Sequence, residues 1–584
     1  MPVNAEARWI LREPDSAVLR KLTESSVHRQ LPRLIQRLLA LRGMGAIRSF
    51  EEYLQPKLAA LGDPMALPQM DLAVQRILLA VDRGEHVILY GDYDVDGVTS
   101  LTLMTQVLRA YGLNPRCFLP LRMEEGYGLS QDGLARCFEV HGKPALLMAL
   151  DCGTSSVKEV AWLAEQGVDC VIVDHHEPGA EKPAAWALVN PKLGQEYCYL
   201  CTVGLVFKLA HALLKARRVE GFDLRDHLDL VALGTVADLV PLQHENRILV
   251  KKGLEKLAGT RRAGLRALKS VAGMNGSVQA HHIGYRLGPR LNAAGRLDTA
   301  QTALDLLLSE DFELAKECAN SLELHNRQRQ EVEEKVHREA LRLLEEDSTL
   351  TEGACIILGS RNWHPGVVGI VASRVMRDYH RPTLMIAFGQ DGMGKGSGRS
   401  VPGISLMQAL DSCRSLLHKG GGHAMAVGIT LEEANLAAFR EAMCAAVSIQ
   451  ATADELEPRL HVDADVTLGE LSSSFLDHYL TLEPFGMGND EPVFLCRGVE
   501  PLLPGQILKE KHWKILLRQG QETRPAIWFN APLNATPPPP WDVVLRIQRQ
   551  EFRGNETWQI LIVGVRSSAG MRFSSSRRAS KAEP

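Results

Sequence analysis

The sequence predicts a multidomain α/β protein with a parallel-sheet domain, a second α/β domain beyond a long helix, and a C-terminal OB-like β-barrel. Three observations carry that prediction. Short, nearly continuous apolar runs alternate with amphipathic stretches from about 70 to 250, the pattern of βα units around a parallel sheet. A charged helical stretch without Gly or Pro runs from about 309 to 346. Short alternating runs such as HWKILLRQ and WQILIVGV fill the region from about 460 to 565.

Bulk properties bound the answer. At 584 residues the chain is too long for one core, and roughly three or four domains are expected. We divide it into an N-terminal helical capping segment (1–69), a catalytic domain (70–260), and a basic segment with the connecting helix (261–346). A second α/β domain (347–450), the barrel (451–570) and a disordered tail (571–584) follow. The apolar fraction of 45% and charged fraction of 23% describe an ordinary globular chain. No apolar run of about 18 residues suggests a membrane span, and the N-terminus lacks the apolar core of a secretory signal. Eleven scattered cysteines, several in apolar runs, suit reduced thiols in a cytoplasm. The lone pair Cys198 and Cys201 has no second pair nearby to complete a zinc site.

A net charge of −4 excludes wrapping of nucleic acid by the whole surface, but not a local basic channel. From Lys256 to Leu297 there is no acid, while Lys256, Arg261, Arg262, Arg266, Lys269, Arg286, Arg290 and Arg296 all occur. We read this as an anion-facing surface. The alternative is an ordinary solvated helical face.

The chemistry lies where the acids fall. The run HVILY leads into Asp92, Asp94 and Asp96; ALLMAL into Asp151; and DCVIV into Asp174, His175 and His176. Asp238 ends the apolar stretch LGTVAD. In an open parallel sheet the ligand site lies beyond the C-terminal strand ends, so these clusters are expected to converge there. A single Asp after a strand is usually a helix cap; the recurrence is what signals a metal site. DYDVDG also looks like the start of a calcium loop, but the twelfth position holds Leu103, not Glu. Mixed carboxylate and imidazole ligands suit Mn2+ or Mg2+, and crowded carboxylates suit a two-ion phosphodiesterase site.

GDYDVDG, LDCG, VDHH and GTVAD, in this order, resemble the motifs of the DHH phosphoesterase family. SGRS (397–400) and GGGHAMAVG (420–428) resemble the DHH-associated domain that accompanies it. The arginine-bearing segments PLRMEEGYGLS and LGPRLNAAGRLD are similar to those of the RecJ subgroup. The resemblance covers roughly residues 70 to 565.

It implies catalytic roles for Asp94, Asp96, Asp151, His175, His176 and Asp238. The implied metal ligands are Asp92, Asp94, Asp96, Asp151, His176 and Asp238 for two Mn2+ or Mg2+ ions, with Asp151 bridging them. Asp174 is expected to buttress the histidines. Tyr90 stands where some relatives carry a metal-binding His; either Asp92 supplies the missing ligand or the first ion is bound more weakly. Phosphate or DNA contacts are expected from Arg122, Arg290, Asn292, Arg296, Ser397, Arg399, Gly422 and His423. HPGVVGIVASR (364–374) reads as a loop entering a helix N-terminus, a natural anion site.

Single-strand platforms stack bases on aromatic rings, and the barrel candidates for this are Trp513, Trp528 and Phe552. The implied function is a 5′→3′ exonuclease specific for single-stranded DNA, releasing nucleoside monophosphates in repair and recombination. A monomer is implied, with a single-strand-binding protein and a helicase as candidate partners. The competing readings are a family phosphodiesterase for short or cyclic oligonucleotides and a non-catalytic replication scaffold.

Overall fold

In the computed structural model, residues 7–568 are described apart from 25–30, 45–46, 122–124, 127, 298, 534 and 553–554. The expected tail at 571–584 therefore lies outside the described residues. No helix among them is long and apolar enough to cross a membrane.

The chain begins with a strand, β1 (Arg8–Leu11), and three short helices. The catalytic sheet follows: β2 (Val87–Gly91), β3 (Arg116–Phe118), β4 (Leu146–Leu150), β5 (Asp169–Val173) and β6 (Ala187–Val189). Its strands are all parallel, in the order β3-β2-β4-β5-β6. Every residue of β2 and β4 is buried, as strands covered by helices on both faces require. Alternate side chains of β2 enter different cores: Val87 and Leu89 on one face, Ile88 and Tyr90 on the other.

The second domain is a sheet of β7 (Ile356–Ser360), β8 (Thr383–Phe388), β9 (Met393–Arg399), β10 (Lys419–His423) and β11 (Ala426–Glu432), in the order β10-β11-β9-β8-β7. Next come β12 (Arg459–Val462), β13 (Ala464–Asp465), and the long strands β14 (Phe494–Leu508), β15 (His512–Gln519), β16 (Glu522–Trp528), β17 (Trp541–Phe552) and β18 (Asn555–Ser567). Pairing of β14 with β17 closes these last five into a barrel.

Between the α/β domains runs the 35-residue helix Phe312–Glu346. Asp311 caps it by accepting from the Glu313 and Leu314 amides at 2.8 and 3.0 Å. Its buried positions are Ala315, Ala319, Leu322, Asn326, Arg329, Glu333, Val336, Ala340 and Leu344, steps of three and four that form one seam. The first three join the catalytic core and the last three the core of the second domain. Where the helix crosses between them the seam turns polar. Arg329 donates to Asn326 and Glu333, and Arg374 of the second domain reaches Glu333 at 3.0 Å. The connecting helix expected from the sequence is thus half embedded along its length.

Two boundaries differ from expectation. The N-terminal segment is no separate cap: β1 pairs in parallel with β12, and Leu22, Ile35, Leu38 and Tyr53 share the barrel's core. The basic segment packs with the first domain, because its apolar face, from Ala263 through Leu307, completes that domain's core.

Arg247 locks the barrel side to the catalytic side. It is 2% exposed, and its guanidinium donates to the carbonyls of Tyr53, Thr481 and Glu483 at 2.8, 3.0 and 2.8 Å. Burial lowers its pKa to about 10, which still leaves it charged at neutral pH. Arg247→Met keeps the length but strands three carbonyls, so urea unfolding should show a loss of about 3 kcal/mol or more. An unchanged midpoint would show that water replaces the guanidinium at no cost.

Candidate active site

The site is assembled at the C-terminal ends of β2, β4 and β5. After β2 the chain turns through Asp92, Tyr93 and Asp94 into the helix Val95–Ala110. Asp94 caps that helix by accepting from the Gly97 amide at 3.1 Å. Gly97 has a steric reason: a Cβ there would lie 2.3 Å from the Asp92 carbonyl oxygen. Asp96, 1% exposed, accepts from the Thr202 and Val203 amides at 2.7 and 2.8 Å. These amides open the helix Thr202–Ala216, so its positive dipole end faces a buried carboxylate.

Asp151 follows β4 with φ +65°, a left-handed conformation that Asp tolerates better than most residues. It is 2% exposed, and the Thr202 hydroxyl donates to its Oδ1 at 2.8 Å. Asp174 follows β5 and accepts from the His175, His176 and Thr154 amides and from the His176 ring at Nδ1, 2.6 Å away. Burial alone would raise its pKa, but the hydrogen bonds from His176 and Thr154 hold it well below the usual carboxylate range. With His176 bonded through Nδ1, metal coordination would use Nε2. Asp238 caps the C-terminus of the helix Leu228–Ala237.

These side chains converge. Potential ligand atoms of Asp92, Asp94 and Asp151 lie within 4.8 Å of one another, as do those of Asp151, His175 and His176, and those of Asp96, His175 and Asp238. Asp151 and His175 each belong to two of the three groups. Burial, then Asp96 and Asp94, raises Asp151 well above its usual pKa. Burial and Asp94 push Asp96 up to about 6; burial, Asp96 and Asp94 push Asp238 up to about 9. Burial lowers His175 to about 4, so its ring is neutral at pH 7. Its Nε2 stands 3.7 Å from Asp151 Oδ1 and 3.5 Å from Asp238 Oδ2. Neither His175 Nε2 nor Asp238 Oδ2 has a hydrogen-bond partner among the described residues, although both are shielded from water. Crowded carboxylates around a neutral imidazole fit divalent cations with oxygen and nitrogen ligands.

Tyr90 has no part in this cluster. It is fully buried on the other side of the sheet, where its hydroxyl donates to the Gly128 carbonyl.

The helix Gly288–Leu297 lies against the acid-bearing loops. A Cβ on Gly295 would meet the Tyr93 carbonyl at 3.1 Å, and one on Gly288 would lie 3.7 Å from the Ala237 Cβ. Asn292 lies on the same helical stripe as these glycines. Arg290 lies on another face: it pairs with Glu323 of the long helix at 2.7 Å and donates to the Arg286 carbonyl. Arg122 and the side chain of Arg296 lie outside the described residues.

In the second domain Ser397 and Arg399 are neighbours on β9, with the Arg399 guanidinium donating to the Ser397 hydroxyl at 2.8 Å. Both crowd Gly369 in the first turn of the helix Val368–Tyr379, which places the SGRS strand beside the HPG loop. His423 is exposed on the β10–β11 hairpin, and Gly422 there admits no side chain, because a Cβ would lie 2.3 Å from the Ala426 carbonyl oxygen. The Glu177 carboxylate, on the loop after the two histidines, is held below its usual pKa by its hydrogen bond with Lys192.

Two expectations need correction. Trp513 and Trp528 are each 8% exposed and pack edge-on against Trp541 in the barrel core, so they cannot stack on a base. Alternation along β15 and β16 turns them inward. Phe552's side chain lies outside the described residues. The acid-free run is also no single basic strip. Lys256 pairs with Asp226, Arg262 lies by Asp229, Arg266 covers Phe312, and Lys269 caps a helix end.

A cleft of about 1490 Å3 does open between the catalytic helices and the barrel, with Tyr285, Arg286, Phe529, Arg546, Arg549 and Trp558 in its walls. Tyr285, 79% exposed, sits in a π-helical turn, Ile283–Leu287, that runs directly into the helix touching the acid loops. Such turns frequently mark functional sites. Tyr285 was not singled out from the sequence, because one tyrosine among apolar and basic residues gives no signal of its exposure.

The raised carboxyl pKa values predict a metal-linked stability. A carboxyl whose pKa is raised on folding stabilises the fold while protonated, below about pH 4. That contribution is lost as pH rises through about 6 for Asp96 and about 9 for Asp238. Metal-free protein should therefore lose thermal stability across this window. Mn2+ should restore it, with the larger effect at higher pH, where the ligands are ionised. Identical melting temperatures in Mn2+ and EDTA at every pH would show that the cluster holds no ion.

Residues 86–235 match the DHH family, N-terminal domain; 352–448 match the DHHA1 domain; and 462–564 match the RecJ OB domain. The chain is 36% identical over 571 residues to the single-stranded-DNA-specific exonuclease RecJ of Dickeya dadantii, covering 93% of this chain and 97% of that one. It is 35% identical to RecJ of Bacillus subtilis, covering 90% of this chain and 66% of the longer relative. RecJ from Thermus thermophilus in complex with Mn2+ superposes with a TM-score of 0.80 at 28% identity, covering 96% of this chain and 80% of that one. The same protein in complex with Mg2+ gives 0.74. With all three domains matched in one order and the curated relatives similar over most of the chain, the chain belongs to the RecJ family of single-stranded-DNA-specific exonucleases.

Proposed function

We propose that this chain hydrolyses single-stranded DNA from its 5′ end, releasing nucleoside monophosphates, at a centre for two Mn2+ or Mg2+ ions. The observation that carries the reading is the convergence of five aspartates and two histidines beyond the ends of β2, β4 and β5. Asp92, Asp94, Asp96, Asp151, His175, His176 and Asp238 would hold the ions, with Asp151 shared between them. When bound, the cations would supply Lewis-acid neutralisation of the phosphodiester and lower the pKa of the attacking water.

The protein's own groups do the positioning. Thr202 fixes the Asp151 carboxylate and Asp174 fixes the His176 ring. The amides of Thr202 and Val203 hold Asp96, which limits its movement as charge changes beside it. Ser397 and Arg399, with the first turn of the helix Val368–Tyr379, form an anion cradle for a backbone phosphate. His423 on the opposing hairpin adds a donor. The 5′→3′ direction and a role in repair and recombination rest on the family resemblance. We place the enzyme in the cytoplasm, a compartment that suits a chain whose eleven cysteines are all free thiols.

The strand's path follows from the aromatic groups. Bases leaving the centre would pass along the helix Gly288–Leu297 and stack on Tyr285 and Phe529 in the cleft before the barrel. A phosphodiesterase for short oligonucleotides would not need this barrel, and a scaffold would not need the ligands.

Digestion of 5′- and 3′-labelled single strands, with a blunt duplex control, tests the whole reading. Immediate release of the 5′ label in Mn2+, none in EDTA and none from duplex is expected, with activity falling more than about 100-fold in Asp151→Ala. Faster cleavage of dinucleotides than of long strands would overturn it. Tyr285→Ala should weaken binding of a long strand about 10-fold, the equivalent of one stacked base, and leave a trinucleotide unaffected. Equal losses on both substrates would remove Tyr285 from the path.

A further inference from the structure

We propose that Cys355 and Cys444 form a reversible disulfide that ties together the two ends of the DHHA1 domain. Cys355 lies immediately before β7 and is 2% exposed. Cys444 lies on the closing helix, Leu436–Gln450, and is half-buried, so a small oxidant can reach it. Their sulfurs are 3.1 Å apart, about 1 Å from bonding distance. Cys444 Sγ also contacts the Cys355 carbonyl at 3.4 Å, so the helix turn and the strand are held in register for the bond. Other cysteines have different partners: Cys117 meets the Thr105 hydroxyl, Cys201 the Thr235 hydroxyl and Cys413 the Ala409 carbonyl.

The surroundings also say which thiol reacts first. Arg440, one turn before Cys444, donates to the Ile357 carbonyl at 3.1 Å and so stands over β7 beside both sulfurs. The hydrogen bond from Cys355 lowers the Cys444 thiol, and Arg440 lowers it further; the neighbouring Cys444 and burial raise Cys355. A partly exposed cysteine in an electropositive setting, with a second thiol in contact, is the arrangement of an attacking and a resolving pair.

With hydrogen peroxide as oxidant the chemistry balances. The Cys444 thiolate attacks one peroxide oxygen, forming an S–O bond, breaking the O–O bond and releasing hydroxide. The Cys355 sulfur then attacks the Cys444 sulfur and loses its proton; the S–O bond breaks and water leaves. Two thiols and one peroxide become one disulfide and two waters, and a dithiol reverses the process. The bond would close a separation of 89 positions that contains both the SGRS strand and the GGGH hairpin.

The test uses the full chain in a Cys198→Ser background, which removes the exposed thiol. After treatment with hydrogen peroxide, free thiols are alkylated and unreduced peptides are analysed by mass spectrometry. The expected result is a cross-linked pair joining Cys355 to Cys444, lighter by two hydrogens than the separate peptides. It should disappear with dithiothreitol and be absent in Cys444→Ser. The oxidised parent, but not Cys444→Ser, should melt at a higher temperature than its reduced form. Both thiols still alkylated after peroxide, or Cys444 over-oxidised while Cys355 stays alkylatable, would overturn the proposal, and neither result depends on Cys444→Ser folding.

Discussion

Everything in this molecule is arranged around the cost of bringing buried carboxylates together. Asp96 and Asp151 are almost inaccessible to water, and Asp238 is pressed against the same space. Like charges at this separation in a poorly solvated site cannot all ionise without compensation. The protein compensates in parts: a helix N-terminus for Asp96, a hydroxyl for Asp151, and four donors for Asp174. What remains is a deficit of positive charge that suits a divalent cation. The neutral state of His175 belongs to the same logic, because a lone pair, not a proton, must face the ion.

The parallel sheet makes this gathering possible. Three neighbouring strands end at one level, so residues far apart in sequence arrive together without the backbone having to search for them. Helices then close the remaining sides. Gly97 and Gly295 mark where backbone presses on backbone around the acid loops, and each is a place where a methyl group would crowd the loop. The groups proposed to hold phosphate, Ser397 and Arg399, come from a different domain, so on that reading holding cations and holding the strand are separate tasks.

Much of this was legible in the sequence, for identifiable reasons. Short apolar runs ending in acids report both a buried strand and the level at which it stops, so Asp92 to Asp96, Asp151 and Asp174 to His176 could be placed before any coordinates. The arrangement of Asp238 was legible only as a motif, since it ends a helix and not a strand. What could not be read was direction. The alternation along β15 shows which residues share a face, but not which face is the core, and Trp513 and Trp528 turned inward. The acid-free run failed for a similar reason: its compensating acids, Asp226, Asp229 and Glu323, lie far away in sequence. The N-terminal strand's pairing with β12 spans most of the chain and leaves no local trace.

The long helix between the two α/β domains carries a consequence for how this protein can change. Its 35 residues amount to a rod of about 52 Å, with the two domains seated on one seam. Inserting a single residue between Leu322 and Val336 would swing one domain about 100° around the other and turn the anion cradle away from the acids. Only an insertion of about seven residues brings the seam back into phase, at the expense of separating the domains by roughly 10 Å. The length of this helix can therefore change only in steps that restore the phase, and even one such step needs a substrate long enough to bridge the gap.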